Sequence, residues 1–390
     1  MINEKDLENF KNEILLGVQR SINIAILHHK NFSEFKNKFL GQTVVLVGAG
    51  PTLKFFEPIE NAIYIGVNRT FLFEQIKFDY LFAIDKNGLE TKENSYTSNF
   101  LNYLGNNCVK FVGDQNCGIN LQIPEGKLNN SIRRYKTTSN LVPSKFTVDI
   151  ESEPIGNFYS VSFQAMQFIL YTNPAKIYLI GMDSNVATEG HFTDTEEKKK
   201  HESLIGNTIK CVKSWQELKV FKEIYYPDTQ IISVNPVGLK GIFEDEYTEK
   251  YRNSKEKERY DKDFKEFWEC PSKNYLQQIK FSEQYNVLVE RVKKKKVIIY
   301  GTGLLFQSIA RMVDLSKIKI IGISDKKYST YGEKFLGYDV IPKNDIFKTD
   351  ADCILVAVQE YEAILKELKQ RIPKNKNIQI LPLAKKFEVI

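Results

Sequence analysis

Between residues 41 and 113 the chain alternates short apolar runs with polar connectors: TVVLVGAG, AIYIGVN, YLFAID and CVKFVG. Runs rich in Val, Ile and aromatic residues, each closed by a turn residue and followed by about ten to fifteen connector residues, predict βαβ units and a parallel sheet. A second such stretch holds a helix over YSVSFQAMQFILY, a strand KIYLIGMD, a helix from about 207 to 225 and a strand QIISVN that ends at Asn235. Upstream, Leu7, Phe10, Ile14, Leu15, Val18, Ile22 and Ile26 recur at helical spacing, which predicts one or two amphipathic helices over 3–38. His28 and His29 fall near their end and read as a surface feature of a helix terminus.

Two stretches break the alternation. Residues 114–157 are polar, carry Pro124, Pro143, Pro154 and the pair Arg133 and Arg134, and read as a long loop or lid. Residues 244–293 are dense in charges and aromatics and read as a solvated helical connector that marks a domain boundary. After it the pattern starts again with KKVIIYGTGLLF, IKIIGISDKK, YDVIPK, DCILVAV and IQILPL. The expected organisation is α/β throughout: an N-terminal helical segment (1–40), a Rossmann-type domain (41–250), a helical connector (251–293) and a second, smaller Rossmann-like domain (294–390).

The sharpest local signal is where the first strand ends, at Gly48-Ala49-Gly50-Pro51-Thr52. Gly48 and Gly50 permit a sharp turn and close approach of backbone to a ligand, Pro51 suits a first helical turn, and Thr52 adds a hydroxyl. Such a turn either faces a phosphate or simply connects a strand to a helix. A dinucleotide fingerprint needs a third glycine and an acid about twenty residues on. Leu53 and Asn68 stand in those places, which turns the reading away from NAD. Gly301 and Gly303 repeat the motif, with Phe306 for the third glycine and Asp325 near the place of a ribose-binding acid. That second turn is either a nucleotide site or a turn without a ligand.

Composition narrows the classes. The 390 residues are 42% hydrophobic and 12% aromatic, enough for buried cores. A net charge of +6 spread over 55 basic and 49 acidic residues suits an anionic ligand or a solvated surface. No Arg-rich arm or aromatic-interleaved basic stripe points to nucleic acid. Five scattered cysteines without a CxxC pair suggest neither zinc nor a disulfide framework. With acids at the N-terminus and no long apolar stretch, the expectation is a cytoplasmic protein whose membrane contact, if any, is peripheral on the inner face. The lack of GxxxxGK[ST] argues against an ordinary ATPase.

GAGPTL at 48–53, Asn68 in GVNRTF, Tyr159-Ser160 at a helix start and IYLIGMD at 177–183 occur in an order and spacing that resemble bacterial sialyltransferases of glycosyltransferase family 42. They also resemble the related motility accessory factor or 6-hydroxymethylpterin diphosphokinase-like proteins. The similarity covers roughly 41–250. It implies a modified, sialyltransferase-like Rossmann domain that binds a nucleotide-activated donor, typically a CMP-sugar. By position, Gly48, Ala49, Gly50, Pro51 and Thr52 would face the nucleotide phosphate and ribose. Asn68 would bond the nucleotide, Ser160 would lie near the donor sugar or phosphate, and Gly181 to Asp183 would hold the cytidine side. The chain departs from the sialyltransferase pattern at Asn185 and His191, where those enzymes carry two tyrosines, and at Ile205-Gly206-Asn207, where they carry Ile-Gly-His. The histidine soon after GMD is more like the diphosphokinase-like group.

Inverting sugar transfer needs a base for the acceptor hydroxyl and a partner for the departing phosphate. His191 suits either role, His201 is a second candidate, and both also read as plain exposed histidines. Asp85 and Asp183 each follow an apolar strand and read as metal ligands, bases, ribose partners or helix caps. The leading expectation is a metal-independent glycosyltransferase that moves a CMP-activated, sialic-acid-like nonulosonate to a bacterial surface glycan or glycoprotein. The alternatives are a Mg²⁺-dependent diphosphokinase-like enzyme, since the ion would bridge phosphates, and a non-catalytic nucleotide-binding scaffold.

Overall fold

The computed structural model describes residues 4–84, 89, 95–114, 123, 125–138, 145–158, 160–184, 204–270 and 272–385. The chain divides into two compact units, Met1–Asp261 and Lys262–Ile390, and both are α/β.

The first unit is built on eight parallel strands: β1 (Thr43–Val47), β2 (Ala62–Val67), β3 (Tyr80–Ala83), β4 (Val109–Asp114), β5 (Ile132–Lys136), β6 (Lys176–Ile180), β7 (Gln230–Val234) and β8 (Glu244–Glu246). Their spatial order is β5-β4-β3-β2-β1-β6-β7-β8. The chain thus lays down one half outward from β1 and then returns to β1 for the other half. That makes the gap between β1 and β6 the switch point, where loops after the two strands diverge. The register places Val47 level with both Gly66 and Ile180, so the residues that follow all three strands emerge at one rim.

Alternate residues of the strands feed two cores. Val44 and Leu46 of β1 join one and Val45 and Val47 the other, as expected for a sheet buried on both faces. The first core is covered by the end of α1 (Glu4–Phe32), by α3 (Ser162–Tyr171) and by α4 (Leu204–Tyr225), and includes Phe32, Phe168 and Trp215. All ten residues of α3 are buried, the mark of a helix packed on every side. Among the described residues, the other face lacks the long helical connectors the sequence predicts. Prolines at 51 and 58 interrupt the first connector, and the 3-10 turns Pro51–Phe55 and Asn68–Leu72 take their place, with the short α2 (Thr97–Asn102) beyond. Phe56, Phe71 and Phe78 fill the space a helix would occupy.

The described parts of 114–157 are not a lid. β5 pairs in register with β4, and Arg133 bridges to Glu34 while its guanidinium lies 5.1 Å from the Phe35 ring centre. Gln167 of α3 pins the following segment, with its Oε1 accepting from Thr147 N and Gly156 N at 2.9 Å each. His28 corrects the surface reading: it is fully buried, its Nδ1 donates to Ile150 O and its Nε2 accepts from Lys136 N, both at 2.8 Å. His29 is exposed and pairs with Glu151 at 3.0 Å.

The charged stretch after β8 forms α5 (Glu249–Arg252), α6 (Lys255–Glu269), α7 (Lys273–Gln278) and α8 (Phe281–Val292). It is less solvated than predicted, because Tyr251 and Tyr260 are each 1% exposed and pack with Val237. The second unit holds β9 (Val297–Tyr300), α9 (Leu304–Met312), β10 (Ile320–Ser324), the hairpin β11 (Lys334–Phe335) and β12 (Tyr338–Asp339), β13 (Cys353–Val356), α10 (Glu362–Gln370) and β14 (Gln379–Pro382). Its main sheet is parallel in the order β10-β9-β13-β14, with a core on each face. No helix among the described residues is long and apolar enough to cross a membrane.

Burial lowers the pKa of His28 below its ordinary 6.5, so its stabilising bonds are fully present above pH 6.5 and are lost as pH falls through the lowered value. Protonation removes the lone pair that accepts from Lys136. Thermal unfolding of the wild type is expected to show acid sensitivity in this range. His28→Leu should be less stable by about 2–3 kcal/mol at neutral pH, since two buried backbone groups lose their partners, with a flatter acid limb. An unchanged acid limb in the variant would place the sensitivity elsewhere.

Candidate functional site

The turn after β1 is stitched to the end of β6. Gly48 N donates to Ile180 O at 2.8 Å and Gly50 N to Gly181 O at 2.9 Å. Thr52 N donates to Asp183 Oδ2 at 2.9 Å, and Thr52 Oγ1 donates to Asp183 Oδ1. The glycines make this approach possible. A Cβ on Gly48 would lie 2.4 Å from Gly181 O, and one on Gly50 would lie 2.4 Å from Asp183 Oδ2. Gly181 has φ +62 and a Cβ there would meet Gly48 O at 2.5 Å. Three amides of the turn are therefore committed to β6 and the residues after it, and the glycines serve first to let two chain segments touch.

Asp183 is 5% exposed, and Gly238 N donates to its carbonyl at 2.7 Å. Its position thus ties the ends of β1 and β6 to the loop after β7. Tyr251 stands near it: burial and then the Asp183 charge push the tyrosine hydroxyl pKa up. The geometry gives Asp183 a positioning role for the turn.

Asn68 follows β2 at the same rim, in a left-handed conformation with φ 53. Among the described residues its buried Oδ1 has no hydrogen-bond partner, and neither does Thr70 Oγ1 two residues on. Arg69 between them is 5% exposed, so this short 3-10 turn holds a guanidinium close to the protein interior. The sequence reading named Asn68 and passed over Arg69, Thr70 and Tyr251. An Arg in an otherwise apolar and hydroxylated run, NRTF, was the available signal for the first two. Ser160 lies at the start of α3, where its Oγ lies 3.0 Å from Ser162 Oγ and accepts from Ser162 N at 3.3 Å. This is a local side-chain-to-backbone turn ahead of the helix.

Asp85, Asn185, His191 and His201 lie outside the described residues. Gly206 and Asn207 fall in the first turn of α4. Among the described residues no three His, Cys, Asp or Glu side chains converge on a common point as metal ligands.

The second unit repeats the stitch with a different partner strand. Gly301 has φ +110, and Thr302 N and Oγ1 both donate to Asp325 Oδ2, at 2.7 and 2.9 Å. Burial acts to raise the Asp325 pKa, and the hydrogen bonds from Thr302 and Lys327 outweigh it and hold the carboxyl below its usual range. Ser324 Oγ, next to it, is buried and has no hydrogen-bond partner among the described residues. Gly303 leads into α9 with open space around it.

Residues 293–379 match the family model described as C2185-like, N-terminal, so that similarity covers most of the second unit. No curated protein matches the chain.

The two turns predict opposite responses to the same substitution. Gly50→Ala forces a methyl into Asp183 and should destabilise the first unit by about 1–3 kcal/mol. Gly303→Ala, with φ −71 and nothing within 4 Å of the new Cβ, should be neutral or stabilise by about 0.4–1 kcal/mol. Urea unfolding of the two variants checks this, and equal effects would refute the assigned stitch.

Proposed function

We propose that the first unit is a glycosyltransferase that moves a sugar from a nucleotide donor, a CMP-linked sialic-acid-like nonulosonate, to a bacterial surface glycan or glycoprotein. The observation that carries this reading is the rim at the switch point of the eight-stranded parallel sheet. There the Gly48 to Thr52 turn, Gly181 and Asp183 form one rigid edge, and Asn68, just after β2 at the same rim, has a buried Oδ1 without a hydrogen-bond partner among the described residues. Open parallel sheets bind ligands at such a point. The ordered resemblance of GAGPTL, GVNRTF and IYLIGMD to family 42 sialyltransferases and their diphosphokinase-like relatives supports the donor class.

In this proposal the base of the donor lies toward Gly181 and Asp183, and Asn68 bonds the nucleotide. The Arg69 guanidinium supplies positive charge near the donor phosphate or the sugar carboxylate. Ser160 contacts the donor sugar or phosphate, and Asn185 belongs to the donor-binding set. Asp85 is a ribose partner, and His191 or His201 takes the acceptor proton or meets the leaving phosphate. The route uses charge and hydrogen bonds on the leaving CMP and asks for no metal. The proposed setting is the cytoplasm, with any membrane contact peripheral.

Binding and hydrolysis of CMP-, UDP- and GDP-sugars by the full chain test the reading. We expect turnover with a CMP-sugar alone. Asn68→Gly, which removes the side chain and keeps the left-handed backbone, should weaken donor binding about tenfold, near 1.4 kcal/mol, without loss of thermal stability. His191→Ala or His201→Ala should cut turnover by roughly 10²–10⁴. No binding or turnover with any of these donors would sink the proposal. Mg²⁺-dependent AMP release from ATP in the presence of a hydroxymethylpterin would replace it with the diphosphokinase reading.

A further inference from the structure

Every residue of α1 from Asp6 to Asn23 is exposed. The helix packs into its unit only near its end, where His28 and Phe32 are buried and where it meets β5. Along the exposed part Leu7, Phe10, Ile14, Val18, Ile22 and Ile26 recur at steps of three or four, each 48–65% exposed. Helices in proteins draw most of their stability from packing an amphipathic face, and an apolar stripe this long is unusual on a monomer surface.

We propose that α1 pairs with α1 of a second copy of this chain, side by side and antiparallel, about a two-fold axis near Leu16 and Gly17. Three observations choose that occupant. The stripe is nearly symmetric about its centre, so an antiparallel register that sets Leu7 level with the partner's Ile26 also sets Phe10 beside the partner's Ile22 and Ile14 beside the partner's Val18. A two-fold interface requires such self-complementarity.

Charge runs the same way. The first half of the exposed helix carries Asp6, Glu8 and Glu13 against Lys11, and the second half carries Arg20 and Lys30. Antiparallel pairing brings unlike halves together, and parallel pairing brings like halves together. The acidic first turns would arrive at a groove of about 660 Å³ at the base of the partner helix, lined by Ile26, His29, Lys30, Lys36, Asp149 and Glu151. Its acids are already engaged, Glu151 by His29 and the Tyr171 hydroxyl, and Asp149 by Ser152. Lys30 and Lys36 then face Asp6 and Glu8.

The area is also adequate. Half-exposed side chains of this size add up to roughly 600–700 Å² per helix, close to the ~800 Å² per partner of a standard interface. A helix that lies on an anionic membrane carries Lys and Arg on its polar side, and the polar side of the first half is acidic.

Sedimentation velocity of the full chain at micromolar concentration is expected to show a dimer. Ile14→Glu with Val18→Glu, both at exposed positions, should weaken association at least tenfold and leave the unfolding temperature of the monomer unchanged. For direction, an equal mixture of Leu7→Cys and Ile26→Cys chains should form a disulfide-linked pair under mild oxidation, and Leu7→Cys alone should not. A monomeric wild type overturns the proposal, as does a dimer indifferent to the double substitution. Cross-linking of Leu7→Cys alone would mean parallel helices and overturn the stated geometry. Binding to anionic phospholipid vesicles that the double substitution abolishes, with no dimer in solution, would assign the stripe to a lipid surface and overturn it as well.

Discussion

The bond pair from Thr52 to Asp183 is the constraint on which the first unit's rim depends. Thr52 follows β1 and Asp183 follows β6, so their contact joins residues 131 positions apart in sequence. It also fixes what may stand nearby. With both carboxylate oxygens accepting from Thr52, the side chain lies where a Cβ on Gly50 would go, and the carbonyls of Gly48 and Gly181 crowd each other's Cβ positions. Three glycines and one Thr-Asp pair are thus a single requirement. The turn is sharp because two strand ends that diverge into different halves of the sheet must first be held together.

The second unit meets the same requirement with the same pair of residue types and a different wiring. Asp325 comes from the end of β10, the next strand in sequence, whereas Asp183 comes from the strand that returns to the far side of β1. The consequence is local space. At Gly301 a Cβ would meet Val358 and Ala357, just after β13 on the other side, and Gly303 is left open. Likeness between the two glycine turns in sequence therefore conceals a difference in which neighbour each one accommodates.

Much of this was legible and some was not, for identifiable reasons. The strands TVVLV, AIYIGV, KIYLI and VIIY stand out because a parallel strand buried on both faces must be apolar at nearly every position. β5 is hidden in IRRYK because edge strands accept charge, and because the stem of Arg133 covers Phe35 while its guanidinium reaches Glu34. His28 reads as a surface residue because helix termini are ordinarily exposed. Its burial comes from Ile150 and Lys136, more than a hundred residues away, and no local pattern contains them. At the rim, the glycines, Asn68 and Asp183 were visible as strand-end residues. That Asp183 binds Thr52 was not, since a carboxyl at the end of a strand looks the same whether it caps a helix, meets a ligand or holds a neighbouring turn.

The contrast between satisfied and unsatisfied polar atoms at the rim carries the argument one step further. Asp183, Gly48, Gly50 and Gly181 have partners within the protein, so their geometry is fixed before any ligand arrives. Asn68 Oδ1 and Thr70 Oγ1 have none among the described residues. A buried polar atom without a partner costs about 1–3 kcal/mol, and two of them in one short turn is a concentration that packing alone gives no reason to keep. A ligand group that donates to Asn68 would offset part of that cost, and the rigid edge beside it would lose little entropy on binding. The proposed donor would thus meet rigidity on one side of the switch point and unmet hydrogen-bonding capacity on the other.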